Sequence, residues 1–295
     1  MNAVLALALM MGAAEGQSAL ADRLTPLVRS HRGTVAIGVK HLGTGVTYFH
    51  NPDQVMPTAS LIKVAILLEA YLQAEEGRLV LTDPVVLRDA DKVPGSGMLT
   101  YHFSEGARFS LRDCVRLMAA LSDNTATNLV LDRVGIERVN TRMKQLGLLE
   151  TRLNAKVFRA SVSSVDPQRT AKYGLGSTTA REMPQLFERL QTGAGLRPPV
   201  KLAIIEHLKR NDDREKFGRL HLPGVEIAHK EGSVTAARTD AGIFYTPSGP
   251  ILICVLTSNN ADRRWVPDNA GNLLCASVAR AVYEHFHPSP KEPRR

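Results

Sequence analysis

Pro57-Thr58-Ala59-Ser60-Leu61-Ile62-Lys63 runs straight into Val64-Ala65-Ile66-Leu67-Leu68-Glu69-Ala70-Tyr71-Leu72. From Leu61 to Leu72 almost every residue is apolar, and only Lys63 and Glu69 break the run, so the segment reads as a helix buried on all sides. Pro57 and Thr58 are start signals, which puts Ser60 in the first turn and Lys63 one turn on, on the same face. The two side chains are then expected to touch. A serine hydroxyl becomes a competent nucleophile when a base removes its proton, and a partly desolvated lysine has its pKa lowered towards that task. Ser-x-x-Lys by itself says little, because about one is expected by chance in a chain of this length.

On the N-terminal side of this helix, Asp22 to Ser30 reads as a surface helix. Thr34 to Lys40 and Val46 to His50, joined through Gly43, Thr44 and Gly45, read as a hairpin. On the C-terminal side, a loop-rich stretch through Pro84, Pro94, Gly95, Ser96 and Gly97 leads to three helical patterns between Leu111 and Leu146. From Asn154 to Ser177 periodicity disappears, which predicts a long surface loop of functional interest. Helices resume at Thr178 and Val200. Val225 to Ala228, Thr239 to Tyr245 and Ile251 to Thr257 read as strands, and Asn269 to Phe286 as a closing helix. The expected fold class is α/β (α+β), with an antiparallel sheet from the N- and C-terminal segments flanked by helices, plus an all-helical lobe. Residues 17–287 should form one catalytic unit, with a sheet lobe of 17–58 and 198–287 and a helical lobe of 59–197.

The chain has 295 residues, 44% of them hydrophobic, enough for a large core. Met1 to Ala14 is apolar and ends in small residues, like a signal peptide (1–16) with a cleavage site near Ala13 or Ala14, although no Lys or Arg precedes Arg23, which leaves an N-terminal helix as the alternative reading. It is too short to span a bilayer. A periplasmic or secreted protein is the expectation, with a disordered tail over 288–295. Cys114, Cys254 and Cys275 are odd in number and lack metal-ligand spacing, so they read as buried free thiols, and no metal or cofactor is expected. The net charge of +8 is dispersed, aromatics make up 5%, and no basic stripe appears, which argues against a nucleic-acid partner. A monomer is expected.

Ser122-Asp123-Asn124 lies between two helical runs, and Lys230-Glu231-Gly232 lies at the end of the first C-terminal strand. Ser-x-x-Lys, then Ser-Asp-Asn, then Lys-x-Gly is the ordered signature of penicillin-recognising serine hydrolases. The run from Leu117 to Leu131 also resembles the corresponding helix of class A β-lactamases, as do Gly95-Ser96-Gly97, Thr151-Arg152-Leu153-Asn154 and Thr239-Asp240-Ala241-Gly242. The chain therefore resembles the class A β-lactamase and penicillin-binding protein superfamily from about residue 20 to 287.

That resemblance implies Ser60 as nucleophile and Lys63 as its base. Ser122 would relay a proton to the leaving nitrogen, with Lys230 holding that hydroxyl and offering charge to a substrate carboxylate. Asn124 would bond the acyl side-chain amide, Asp123 would support the turn, and the backbone N–H groups of Ser60 and Ser233 would form the oxyanion hole. Gly232, Ser233, Thr235, Arg238 and Glu231 complete the expected substrate-binding set, and His229 reads as a strand residue.

Two positions depart from the family. Val157 stands where class A enzymes carry their deacylating glutamate, and the only carboxylate between Thr151 and Arg181 is Asp166, a turn residue or an alternative base. Glu231 replaces a Thr or Ser, so either it turns away to a cation such as Arg238 or the substrate is unusual. The resemblance implies a serine hydrolase forming an acyl-enzyme with β-lactams, with slow or atypical release. The alternatives are a DD-carboxypeptidase or amidase acting on peptidoglycan stem peptides, and a binding or sensor protein that captures such ligands without turnover.

Overall fold

The C-terminal strands are near-continuous buried runs, with every residue from Ile251 to Thr257 buried, and such runs mark a sheet covered on both faces. The computed structural model describes residues 3–222 and 224–288, with side chains from Gly16 onward. Five strands, β1 (Thr34–His41), β2 (Thr47–His50), β3 (Glu226–Val234), β4 (Ala237–Thr246) and β5 (Gly249–Ser258), form one sheet in the order β2-β1-β5-β4-β3. Every pair whose register is defined is antiparallel. On β5, Leu252, Cys254 and Leu256 face the core shared with the helical half, whereas Ile251, Ile253 and Val255 face a second core. Two terminal helices, α1 (Ala3–Ser30) and α8 (Ala270–Phe286), cover that second face.

The expected central helix is α2 (Lys63–Glu75), and every residue from Lys63 to Gln73 is buried. It packs against α3 (Leu111–Ala120), α4 (Asn124–Val134), α5 (Ile136–Gln145) and α7 (Pro198–Lys209), while α6 (Glu182–Thr192) lies against the sheet. Glu69, polar in the midst of this apolar helix, is 2% exposed and is neutralised by Arg142 Nε at 2.7 Å. All three cysteines are free and buried, and burial pushes the Cys114 thiol up to about 12, so these are inert packing residues.

Several expectations need correction. The first helix extends well before Asp22, and its Leu20 and Leu24 are fully buried, so it is not a surface helix. β3 continues past Gly232 to Val234, because its pairing with β4 runs unbroken to a two-residue turn at Thr235 and Ala236; Lys230, Glu231 and Gly232 therefore sit inside the strand. Asn154 to Ser177 carries two short helices, Ala160–Ser163 and Pro167–Tyr173, each too short to show a periodicity. Thr178 pairs with Met56 in a small three-stranded sheet, and the helix begins at Glu182. The side chains of the expected export segment up to Glu15, and the tail from residue 289, lie outside the described residues. Among the described residues no helix is long and apolar enough to cross a membrane.

Candidate active site

The turn that carries Ser60 is a 3-10 turn, Ala59–Ile62, that leads directly into α2. Thr58 N–H donates to Gly176 O at 2.9 Å, and Thr239 Oγ1 of β4 donates to Thr58 O at 2.9 Å, so both sheets hold the entry to the turn. Ala59 has φ of 47°, a left-handed conformation rarely adopted outside glycine. Ser60 belongs to the first turn, where backbone N–H groups have no helical acceptor and face outward. Gly232 lets β3 lie against this turn: a Cβ there would sit 2.4 Å from Thr58 O and 2.9 Å from Ser60 N.

Ser122 ends the turn between α3 and α4 and also has a left-handed φ, of 53°. Asp123 holds this connection, as expected of a structural residue. Its carboxylate accepts from Met98 N at 2.7 Å, Leu99 N at 2.9 Å and Ala126 N at 2.7 Å, the last capping α4. Gly97 must be glycine here, since a Cβ would fall 2.2 Å from the Asp123 carboxyl carbon. Ser96 Oγ donates to Ser122 O at 2.8 Å, fixing the far side of the turn.

Lys63 Nζ, 1% exposed, donates to Ser122 O at 2.7 Å, Asn124 Oδ1 at 3.0 Å and Ser122 Oγ at 3.2 Å. Burial, followed by the nearby Lys230 ammonium, lowers the Lys63 pKa well below its ordinary value, which favours the neutral amine a base needs. The expected contact between Ser60 and Lys63 is not made: among the described residues no hydrogen bond joins them, because Lys63 Nζ is drawn to Ser122 and Asn124. Catalytic contacts are often long in the empty enzyme and tighten around substrate. Lys230 Nζ donates to Ser122 Oγ at 3.1 Å, so two lysine nitrogens lie within hydrogen-bond distance of that oxygen.

These groups open on a cleft of about 640 Å³ lined by Ser60, Ser122, Asn124, Ser233, Glu231 and Arg238 from the expected set. Lys63, Lys230 and Gly232 are buried behind this lining, and Thr235 lies away from it. It is exposed at the tip of the β3–β4 hairpin and does not line the cleft, because the strand runs on for two residues past Gly232.

Glu231 does not pair with Arg238. Its Oε2 pairs with Lys230 Nζ and accepts from Asn211 Nδ2 at 2.8 Å. Burial pushes this carboxyl up, but the charges of Lys230 and Lys216 outweigh it and hold the group well below the usual range. Arg238 is spent on the carbonyls of Val234, Ala237 and Arg264 and lies over the Trp265 ring at 4.8 Å. His229 is a strand residue beneath the cleft, bonded through Nδ1 to Asp240 Oδ1 at 2.9 Å.

The cleft lining also includes Val157 and Phe158. Val157 is 9% exposed, and both its backbone groups are held by the Asn128 side chain. Phe158 is a third wall residue with a left-handed φ, 53°, and its ring approaches Gly95. Such strained positions gather at functional clefts. Asp166 is not in the wall; its Oδ1 caps the helix Pro167–Tyr173 by accepting from Arg169 N at 2.9 Å, the turn role of its two readings. Phe158, Asn211, Trp265 and Asn272 also shape the site, and no local motif marks them.

Comparison with known proteins agrees with this geometry. The family model described as the Beta-lactamase enzyme family matches residues 19–286. Beta-lactamase CARB-3 of Pseudomonas aeruginosa is 31% identical over 228 residues, covering 74% of this chain and 75% of that protein. The crystal structure of a beta-lactamase from Sphaerobacter thermophilus superposes with a TM-score of 0.80 at 29% identity, covering 92% of this chain and 98% of that one. A mutant of PBP-A, described as an acyl-enzyme complex with penicillin-G, matches with a TM-score of 0.79 at 25% identity, covering 92% and 97%. With its fold, its ordered Ser60, Ser122 and Lys230 segments and these relatives in agreement, the chain belongs to the beta-lactamase enzyme family and is a class A-like serine hydrolase.

Proposed function

We propose that the protein forms an acyl-enzyme at Ser60 with β-lactams and releases it slowly. Ser60 Oγ attacks the lactam carbonyl as Lys63 takes its proton, and the backbone N–H groups of Ser60 and Ser233 receive the charge that develops on the carbonyl oxygen. Ser122 passes its own proton to the departing nitrogen and is reprotonated by Lys63, 3.2 Å from its Oγ, which carries the proton taken from Ser60. Asn124, whose Oδ1 accepts from Lys63 and whose Nδ2 donates to Pro94 O at 3.0 Å, steadies the base.

The observation that supports slow release is the lining of the cleft that holds Ser60. It includes Val157, Asp166 is turned away as a helix cap, and Glu231 is bound to Lys230. Loss of a general base typically costs about 10² to 10⁴ in rate. Acylation, served by Lys63, is spared. Intact-protein mass spectrometry with a penicillin-type substrate tests this: one equivalent should accumulate on the native protein and none on Ser60→Ala. Destruction of many equivalents without an accumulating adduct would refute slow release.

A second reading, a DD-carboxypeptidase or amidase acting on peptidoglycan stem peptides, is favoured by the likeness to PBP-A. Release of D-Ala from a stem-peptide mimic by the native protein, absent in Ser60→Ala, would select it.

A further inference from the structure

The pairing inside Lys230-Glu231-Gly232 bears on which substrates the site accepts, and it rests on the acyl-enzyme reading above. Lys230 is the cation that reaches Ser122 Oγ, at 3.1 Å, and the same ammonium is paired with Glu231 Oε2 and donates to Glu231 O at 3.2 Å. The Glu231 side chain is 13% exposed and lines the cleft. Asn211 fixes it there by donating to the same Oε2. Among the described residues no hydrogen bond occupies Glu231 Oε1 or Ser233 Oγ, and neither atom is sealed from the cleft.

The other cations on this wall are committed elsewhere. Lys216 Nζ pairs with Asp213 Oδ2 at 2.9 Å, and Arg238 is held by three carbonyls. Asp213 and Glu215 add two more carboxylates to the same end. An incoming carboxylate would have to share Lys230 with Glu231 and sit against its charge. Like charges so placed in a partly dry site repel strongly. A carboxamide meets no such opposition: its N–H groups can donate to Glu231 Oε1, and its oxygen can accept from the Ser233 hydroxyl.

We infer that the leaving-group end of this cleft selects substrates bearing an uncharged, hydrogen-bond-donating primary carboxamide over those bearing a free carboxylate, with Glu231 as the specificity-determining residue. The test uses one penam scaffold prepared as the free acid and as the primary carboxamide. Second-order acylation rates are followed by intact mass for the native protein, Glu231→Gln and Glu231→Thr. The native protein should be acylated at least about tenfold faster by the carboxamide, Glu231→Gln should narrow the gap, and Glu231→Thr should reverse it. Acylation of the native protein by the free acid as fast as by the carboxamide would overturn the inference while leaving the acyl-enzyme intact. Failure of both compounds on all three proteins would overturn the acyl-enzyme reading, and this inference with it.

Discussion

The Asn128 side chain clamps the backbone of Val157: its Nδ2 donates to Val157 O at 3.0 Å, and its Oδ1 accepts from Val157 N at 2.9 Å. Val157 is thereby fixed in the cleft lining, and under the proposed slow release it is its chemistry rather than its mobility that matters. An apolar side chain there can neither orient nor deprotonate a water.

Asp166→Ala separates a helix cap from a catalytic base. The variant should lose about 1 kcal/mol of stability, seen by chemical denaturation, because the Arg169 N–H loses its acceptor. The lifetime of the acyl-enzyme should not change. A markedly longer lifetime would make Asp166 the base.

Gly232→Ala tests the close approach of β3 to the turn that carries Ser60. The new Cβ would meet backbone atoms of Thr58 and Ser60, which cannot move aside as a flexible side chain would. The expected cost is about 1–3 kcal/mol, with Tm falling by about 2–4 °C for each kcal/mol. Acylation should fall further than stability alone accounts for, because Ser60 N is displaced. A variant with native Tm and native acylation would contradict the packing account.

The acylation rate should rise with pH as Lys63 loses its proton, with an inflection well below the ordinary lysine value of 10.5. Burial, then the Lys230 charge, disfavours the ammonium, whereas the Glu231 charge favours it. Removing that negative charge in Glu231→Gln should therefore move the inflection to lower pH. A move to higher pH would show that Lys63 is not the group being titrated.

Much of this arrangement was legible in the sequence because it is written in local patterns. The apolar run after Ser60 gave a helix buried all round, the strand runs at both chain ends gave an antiparallel sheet flanked by helices, and the ordered triplets brought Lys63, Ser122 and Lys230 together, although the expected contact between Ser60 and Lys63 is not made. What escaped depends on where side chains turn. Adjacent strand residues ordinarily point to opposite faces, so nothing in Lys230-Glu231 announced that the two would pair, and Arg238 was the more natural partner to expect. Thr235 fell outside the cleft because the length of β3 is set by its pairing with β4, not by its own composition. Phe158, Trp265 and Asn272 come from distant segments with no shared motif, and only the folded chain brings them to one cleft.

The most direct test compares the acyl-enzyme lifetime of the native protein with that of Val157→Glu, after excess penicillin-type substrate is removed and the adduct mass is followed. The account predicts a long-lived adduct on the native protein and one that clears about 10² to 10⁴ times faster on Val157→Glu. Equal lifetimes, or a native adduct that clears as soon as it forms, would contradict it.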